Sequence, residues 1–466
     1  MGSLTIPAGS NVGILSAIAN GSIAKGAPVS INTDGTVSTT GYSGSTPVVY
    51  GTPVSELNTA YVTASMASAV DPISGTTVLA YTNSAGQGEA VVVTPGLGTN
   101  ATFGTPVIFD TNSVCNQFSV IFDTVNSKFV IAYKLNTVGM KAIVGTVTGS
   151  TISFGSATVI EAATINSSSA CFDSTNGKII VSYGVFVSTV RAAVGTVSGT
   201  SISFGTIAIV EATTSLYGEN AISFNASVGK VLIFFGDSAT FGYCIVGTVS
   251  GTTISFGTRV GILGGGYAQL NSVYDVANQK NILVLAGGYI KAFSISGTVP
   301  TLFASGTTGM SYPYGIAFDV TNNKTIINCI NGVNSRVQYV TLSGSTFTAS
   351  AITTYFVSSS ATVFSATYNS KFGKVMLFDG IASAANYVTI GAGSNNSKFI
   401  GFAGNDAGNG ATETVNTIGG TNGYQTGLNT GNSYFVQIDG TLSTTQGTSG
   451  VYVGIATAAT TILVRS

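Results

Sequence analysis

One phrase recurs along this chain at a spacing that few folds accommodate: an aromatic or apolar residue, an Asp or Asn, a polar turn usually ending in Lys, then an apolar run. It reads FDTVNSKFVIAY from residue 122, FDSTNGKIIVSY from 172, FNASVGKVLIFF from 224, YDVANQKNILVL from 274 and FDVTNNKTIINC from 318. Looser copies, VDPISGTTVLAY from 70 and TYNSKFGKVMLF from 367, bracket these. The turns begin at Asp71, Asp123, Asp173, Asn225, Asp275, Asp319 and Asn369, in steps of 52, 50, 52, 50, 44 and 50 residues. A second phrase, ISFG, follows a Gly-Ser or Gly-Thr turn at 152–155, 202–205 and 254–257, with a looser copy, TFGTPV, from 102.

Each unit parses into four short strands. In the unit whose first strand starts at Phe118 these are FSVIFD, KFVIAY after the Asp-to-Lys hairpin, MKAIVGTV, and TISFGSATVI after a Gly-Ser turn. Seven such units of about fifty residues match the period of a β-propeller blade, whereas solenoid coils are shorter and a sandwich has no reason to repeat. Fourth-strand phrases centre on Phe103, Phe154, Phe204, Phe256, Phe303 and Phe347, one fewer than the hairpins. The remaining copy is VVYGTPV at 48–54, so that segment is expected to complete the blade begun by residues 360–391 and remove the open edge. The expected fold class is all-β: a seven-bladed propeller over 45–392, inserted in a small discontinuous β domain made of 1–44 and 393–466. Both flanks carry a D-G hairpin phrase, VSINTDGTVSTT at 29–40 and FVQIDGTLSTTQ at 435–446.

Composition narrows the chemistry. Of 466 residues only 7% are charged, the net charge is -1, and there is neither His nor Trp. Histidine-activated nucleophiles, a histidine general base, His-ligated zinc and proximal-His haem are excluded. Four Arg and no basic run argue against a nucleic-acid footprint or an anionic membrane surface. No stretch approaches the roughly 18 apolar residues of a spanning helix, so no membrane insertion is expected. The N-terminal run lacks the pattern of a secretory signal, making the cytosol the default place of folding. Cys115, Cys171, Cys244 and Cys329 are widely spaced within or beside apolar runs, which reads as buried, reduced thiols. No cofactor and no metal site are expected.

The flanks carry a resemblance. KGAPVSINTDGTVS at 25–38, the run GFAGNDAGNGATETVNTIGGTNGYQTGLNTGNSYFVQIDGTLSTT and the ending VYVGIATAATTILVRS resemble small β modules of tailed-bacteriophage structural proteins. Such modules occur in capsid decoration proteins and in head or tail fibres, and the ISFG blades are similar to repeats in such proteins. The resemblance implies a virion component, made in the host cytoplasm and present in multiple copies. Its terminal module would dock to other virion proteins while the propeller projects outward. It implies no active-site motif.

Two sets of residues are candidates for contact with a ligand. Lys141, Arg191, Tyr243, Tyr289 and Arg336 each stand eight residues before the Gly of the third-to-fourth strand turn, and so at one radius where the third strand begins. Cations and rings there suit acidic or neutral sugars, though strand starts also carry long polar residues to stay solvated. Tyr217, Tyr267, Tyr312 and Tyr314 fall in the interblade links, which vary in length from blade to blade as recognition loops do. The hairpin lysines (Lys128, Lys178, Lys230, Lys280, Lys324, Lys374) read either as a polyanion collar or as solvated turn tips. Arg191, Arg259 and Arg336 fall in three blades as a sialidase-like triad would, but Arg259 is placed inside a fourth strand and the Trp-containing box of such enzymes is missing. Glu161 and Glu211 recur at one repeat position, which suggests structure rather than paired catalytic carboxylates. The expectation is a non-enzymatic phage virion protein displaying a propeller for adhesion to host surface polysaccharide. The alternatives are a ligand-free decoration or tail joining protein and, further off, a glycan-degrading enzyme.

Overall fold

The computed structural model describes residues 13–464 except 20–21, 32–36, 40–48, 51–53, 56–60, 96–100, 113, 136–138, 187–188, 213–219, 237–241, 263–268, 321, 332–333, 358–360, 372–373, 382–385, 393–398, 409, 437–440 and 446–450. Among these residues every regular element is a strand. Seven antiparallel sheets follow one another along the chain, each spanning one sequence repeat. In the second, Cys115–Asp123 pairs with Lys128–Leu135, which pairs with Gly139–Thr148; Thr151–Phe154 and Thr158–Glu161 then both pair with Gly139–Thr148. The fourth strand expected from the sequence is therefore split in two, with its break at Gly155.

That break has a steric cause repeated in four blades. A Cβ on Gly104, Gly155, Gly205 or Gly257 would run into the backbone carbonyl of Ser150, Thr200, Thr252 or Thr298, which lies in the Gly-Ser or Gly-Thr turn of the following sheet. The turn residue Gly149, at φ 60, precedes a residue at negative φ, and Thr148 pairs with Thr151, as in a two-residue type II′ hairpin. One glycine thus makes the hairpin, and another receives the neighbouring hairpin.

The Asp-to-Lys hairpins are built from the side chain inward. Asp123 is fully buried; its Oδ1 accepts the amides of Val125 and Asn126, and its Oδ2 accepts Asn126 Nδ2 at 2.8 Å. Asp173 repeats this with Thr175 and Asn176. The lysines are tied to their own sheets: Nζ of Lys128, Lys178 and Lys230 donates to Oγ1 of Thr146, Thr196 and Thr248 at 2.9, 2.8 and 2.7 Å. The turn-tip reading of these three lysines accounts for their contacts; a collar of free cations does not.

Second strands such as Phe129–Tyr133 are buried on both faces, because each sheet is covered by a neighbour on either side. Adjacent sheets share one apolar core: Ile121, Val130 and Val144 with Ile179, Val181 and Tyr183, for example. Another such core joins the first sheet to the last, through Leu79, Tyr81 and Val91 against Met376 and Phe378. The innermost strands contact one another in order, and Ala361–Asn369 of the last sheet contacts Tyr61–Val70 of the first. The outer positions of the last sheet are filled from the N-terminal side: Val49 and Tyr50 pair with Ala392 and Gly391, and Val54 and Ser55 pair with Val388 and Tyr387.

The flanks form two further sheets. Ile14–Ile18, Pro28–Ile31 and Val37–Thr39 share one with Phe399–Ala403 and Thr412–Asn416. The second contains C-terminal strands, among them Ser433–Val436, Val451–Ala458 and Thr461–Val464. Phe402 of the first sheet is buried among Tyr434, Val436 and Val453 of the second and Leu428 of the segment before it. Lys25 lies 3.8 Å above the Tyr424 ring and Gln425 donates to the Gly26 carbonyl. The strands flanking the two D-G phrases thus lie in different sheets, while the D-G residues themselves lie outside the described residues.

Candidate ligand-binding site

The register makes the five strand-start residues equivalent. Tyr133 pairs with Lys141, Tyr183 with Arg191, Phe235 with Tyr243, Leu285 with Tyr289 and Cys329 with Arg336, each partner lying five residues beyond a hairpin lysine. Their surroundings differ from what the spacing suggests.

Asp110, Glu161 and Glu211 each stand six residues after a fourth-strand glycine, at the end of one blade, and each takes a cation from the next. Lys141 Nζ lies 3.0 Å from Asp110 Oδ2, which also accepts the Tyr133 hydroxyl at 2.7 Å. Arg191 Nη1 is 2.6 Å from Glu161 Oε2, and Arg259 Nη1 is 2.8 Å from Glu211 Oε2. Arg259 lies between Thr253–Phe256 and Val260–Ile262, in the break of the fourth strand rather than inside it, with its guanidinium 4.5 Å from the centre of the Tyr243 ring. Burial works to raise the Asp110 carboxyl, but hydrogen bonds from Asn112, Tyr133 and Lys141 outweigh it and hold the group below the ordinary range. Lys141 and Arg191 therefore fasten the seams between blades and are not free contact residues. Tyr243 serves as the platform for a third seam.

The pattern breaks between the fifth and sixth blades. The end of the fifth blade reads TTGMS at 307–311, with no acid. Among the described residues Arg336 has no ion pair, and its buried Nε meets no hydrogen-bond acceptor. A cavity of about 340 Å³ opens here, lined by Gly309, Met310 and Ser311 from the acid-free segment and by Tyr312, Tyr314 and Arg336. Tyr312 is 54% exposed. Tyr314 belongs to the innermost strand Pro313–Asp319 rather than to the interblade link, and its ring stacks on Phe364 at 5.3 Å. Three of the nine candidate residues thus meet in one pocket. Tyr289, at the start of the fifth blade's third strand, is partly exposed, and Tyr217 and Tyr267 lie outside the described residues.

A second concavity of about 240 Å³ lies among the innermost strands, lined by small polar residues of several blades, including Ser65, Gln117, Ser167, Asn220 and Gln269. Gln117 and Gln269 hold left-handed backbone, φ 49 and 56, and Gln117 Nε2 donates to the Asn166 carbonyl at 2.7 Å. The sequence reading named none of these residues; the signal for them was a polar residue where each first strand begins. Cys115, Cys244 and Cys329 are buried and Cys171 half-buried, all as free thiols. Burial pushes Cys115 and Cys244 up to about 12, with the Asp110 carboxylate also raising Cys115.

No family model matches the chain, and no curated protein matches it. Solved structures do. The β-propeller domain of Cps50 (Swd1) from Myceliophteria thermophila is 8% identical, with a TM-score of 0.49, over 74% of this chain and 99% of that one. Raptor from Chaetomium thermophilum is 7% identical, also with a TM-score of 0.49, over 74% of this chain and 29% of that one. These likenesses concern the fold alone. In its own strand order and pairing, the chain is an all-β protein built on a β-propeller.

Proposed function

We propose that this protein is a structural component of a tailed-phage particle whose propeller is a rigid head for adhesion to host surface glycan, held by a module built from both flanks. The observation that carries the binding part is the pocket between the fifth and sixth blades, where Tyr312, Tyr314 and Arg336, which has no ion pair among the described residues, converge. Rings beside a cation suit a saccharide through stacking and hydrogen bonds. The virion part rests on the flank phrases quoted above, and many copies on a particle make weak single contacts sufficient. Binding without catalysis fits the engagement of Glu161 and Glu211 in ion pairs.

The test is retention of the full chain on host cells and on their purified surface polysaccharide, beside Tyr312→Ala. Saturable binding weakened by the substitution is expected; no binding at high protein concentration would sink the adhesin reading. A ligand-free decoration or joining role is the second reading. It is favoured by the seam ion pairs, which give Lys141 and Arg191 a purely structural duty.

A further inference from the structure

Among the described residues three seams close on an acid and a cation, and another presents the cation without an acid. Lys141 has Asp110, Arg191 has Glu161 and Arg259 has Glu211. Glu161 reaches its partner from a place opposite Met140, and Glu211 from opposite Val190, each one residue before the cation position of its own blade. In the fifth blade the matching place, opposite Gly288, is taken by Thr308, whose amide donates to the Gly288 carbonyl at 2.6 Å. Thr308 bears no charge, and the residues after it line the pocket that holds Arg336.

We propose that this pocket binds the carboxylate of an acidic saccharide, the ligand's carboxylate standing against Arg336 where the other seams place Asp or Glu. The inference rests on the glycan-adhesion reading and names the class of glycan. A guanidinium with a buried, unbonded Nε has fixed donors that match a carboxylate in two parallel hydrogen bonds. The pocket's remaining walls suit a sugar: Tyr312 offers an exposed ring, and Gly309 and Ser311 leave room and backbone groups beside it. A neutral sugar offers only single, uncharged hydroxyl acceptors here, whereas a carboxylate answers the guanidinium with two charge-assisted bonds, roughly twice as strong.

The experiment titrates full-length protein with galacturonate, glucuronate and sialate oligomers and with carboxyl-reduced counterparts, at two salt concentrations. At least one acidic oligomer is expected to bind, more weakly at high salt, with its carboxyl-reduced form weaker by about tenfold or more, the loss of one charged hydrogen bond. Arg336→Ala and Arg336→Lys should both lose that binding, since an ammonium cannot reproduce the fork. Thr308→Glu is the decisive variant: it supplies the missing acid, so it should abolish binding while leaving the unfolding midpoint unchanged or raised. Binding of acidic oligomers by none of the proteins, equal binding of the reduced forms, or full binding by Thr308→Glu overturns the proposal. Binding of neutral host polysaccharide that survives Arg336→Ala overturns it while leaving the adhesion reading in place.

Discussion

Asp379 lies in the second strand of the last blade, Lys374–Ile381, with no exposed surface. Its Oδ1 accepts the Tyr355 hydroxyl at 3.0 Å, while Oδ2 has no hydrogen-bond partner. Burial pushes this carboxyl up from an ordinary 3.8 to about 7, although the Ser335 and Tyr355 hydroxyls pull the other way. The folded state therefore holds a proton that the unfolded chain releases near pH 4. Stability from this group is fully present below about pH 4 and is lost as pH rises through 7, by about 4 kcal/mol for three pH units. Asp379→Asn keeps an acceptor for Tyr355 and cannot ionise. Denaturant unfolding between pH 4 and 8.5 should show the difference, variant minus parent, rising with pH; a difference flat across that range would contradict the assignment. Asp110 works in the opposite sense, since its lowered carboxyl contributes stability that is lost as pH falls through its folded value. The hairpin aspartates were legible in the sequence because they recur every fifty residues. Asp379 was not, because it occurs once, inside the apolar run VMLFDGI.

At the level of the strand, two kinds of glycine separate two causes of order. Gly149 is at φ 60 with open space where a Cβ would point, so Gly149→Ala costs about 1 kcal/mol through backbone conformation alone. Gly155 faces the Thr200 carbonyl of the next blade, and Gly155→Ala must push two sheets apart, at about 3 kcal/mol. Chemical unfolding of the two variants side by side measures this, and equal losses would show that the blade contact is not rigid. The strand parse from sequence located the hairpins and all four strands of the second blade. It missed the split in the fourth strand, because the carbonyl that forces it comes from a residue 45 positions further along the chain. It also missed the seam pairs. Glu161 and Arg191 were each seen as recurrent, but they stand 30 residues apart in different blades, and no local pattern links them.

Across the whole molecule, the repeat alone foretold the all-β propeller, while the pocket needed the structure. Five equivalent positions look alike in sequence. Which of the two arginines among them holds an acid depends on how the preceding blade ends, and that is decided only when blades are set side by side. The segments Val49–Tyr50 and Val54–Ser55 complete the outer side of the last sheet, and Tyr50 is hydrogen-bonded through its hydroxyl to that of Tyr339 in the sixth blade. Deleting 46–55 exposes the edge of Asn386–Ala392 and removes that bond. A lower and broader thermal transition is expected, and an unchanged one would mean that the ring does not depend on this strand. Ligand binding at the Arg336 seam can be read by amide hydrogen exchange of the full chain with and without host surface polysaccharide. Protection gained at 309–314 and around Arg336, with the Asp-hairpin tips unchanged, is the expected result; no change there, or protection confined to the hairpin tips or the flanks, would contradict it.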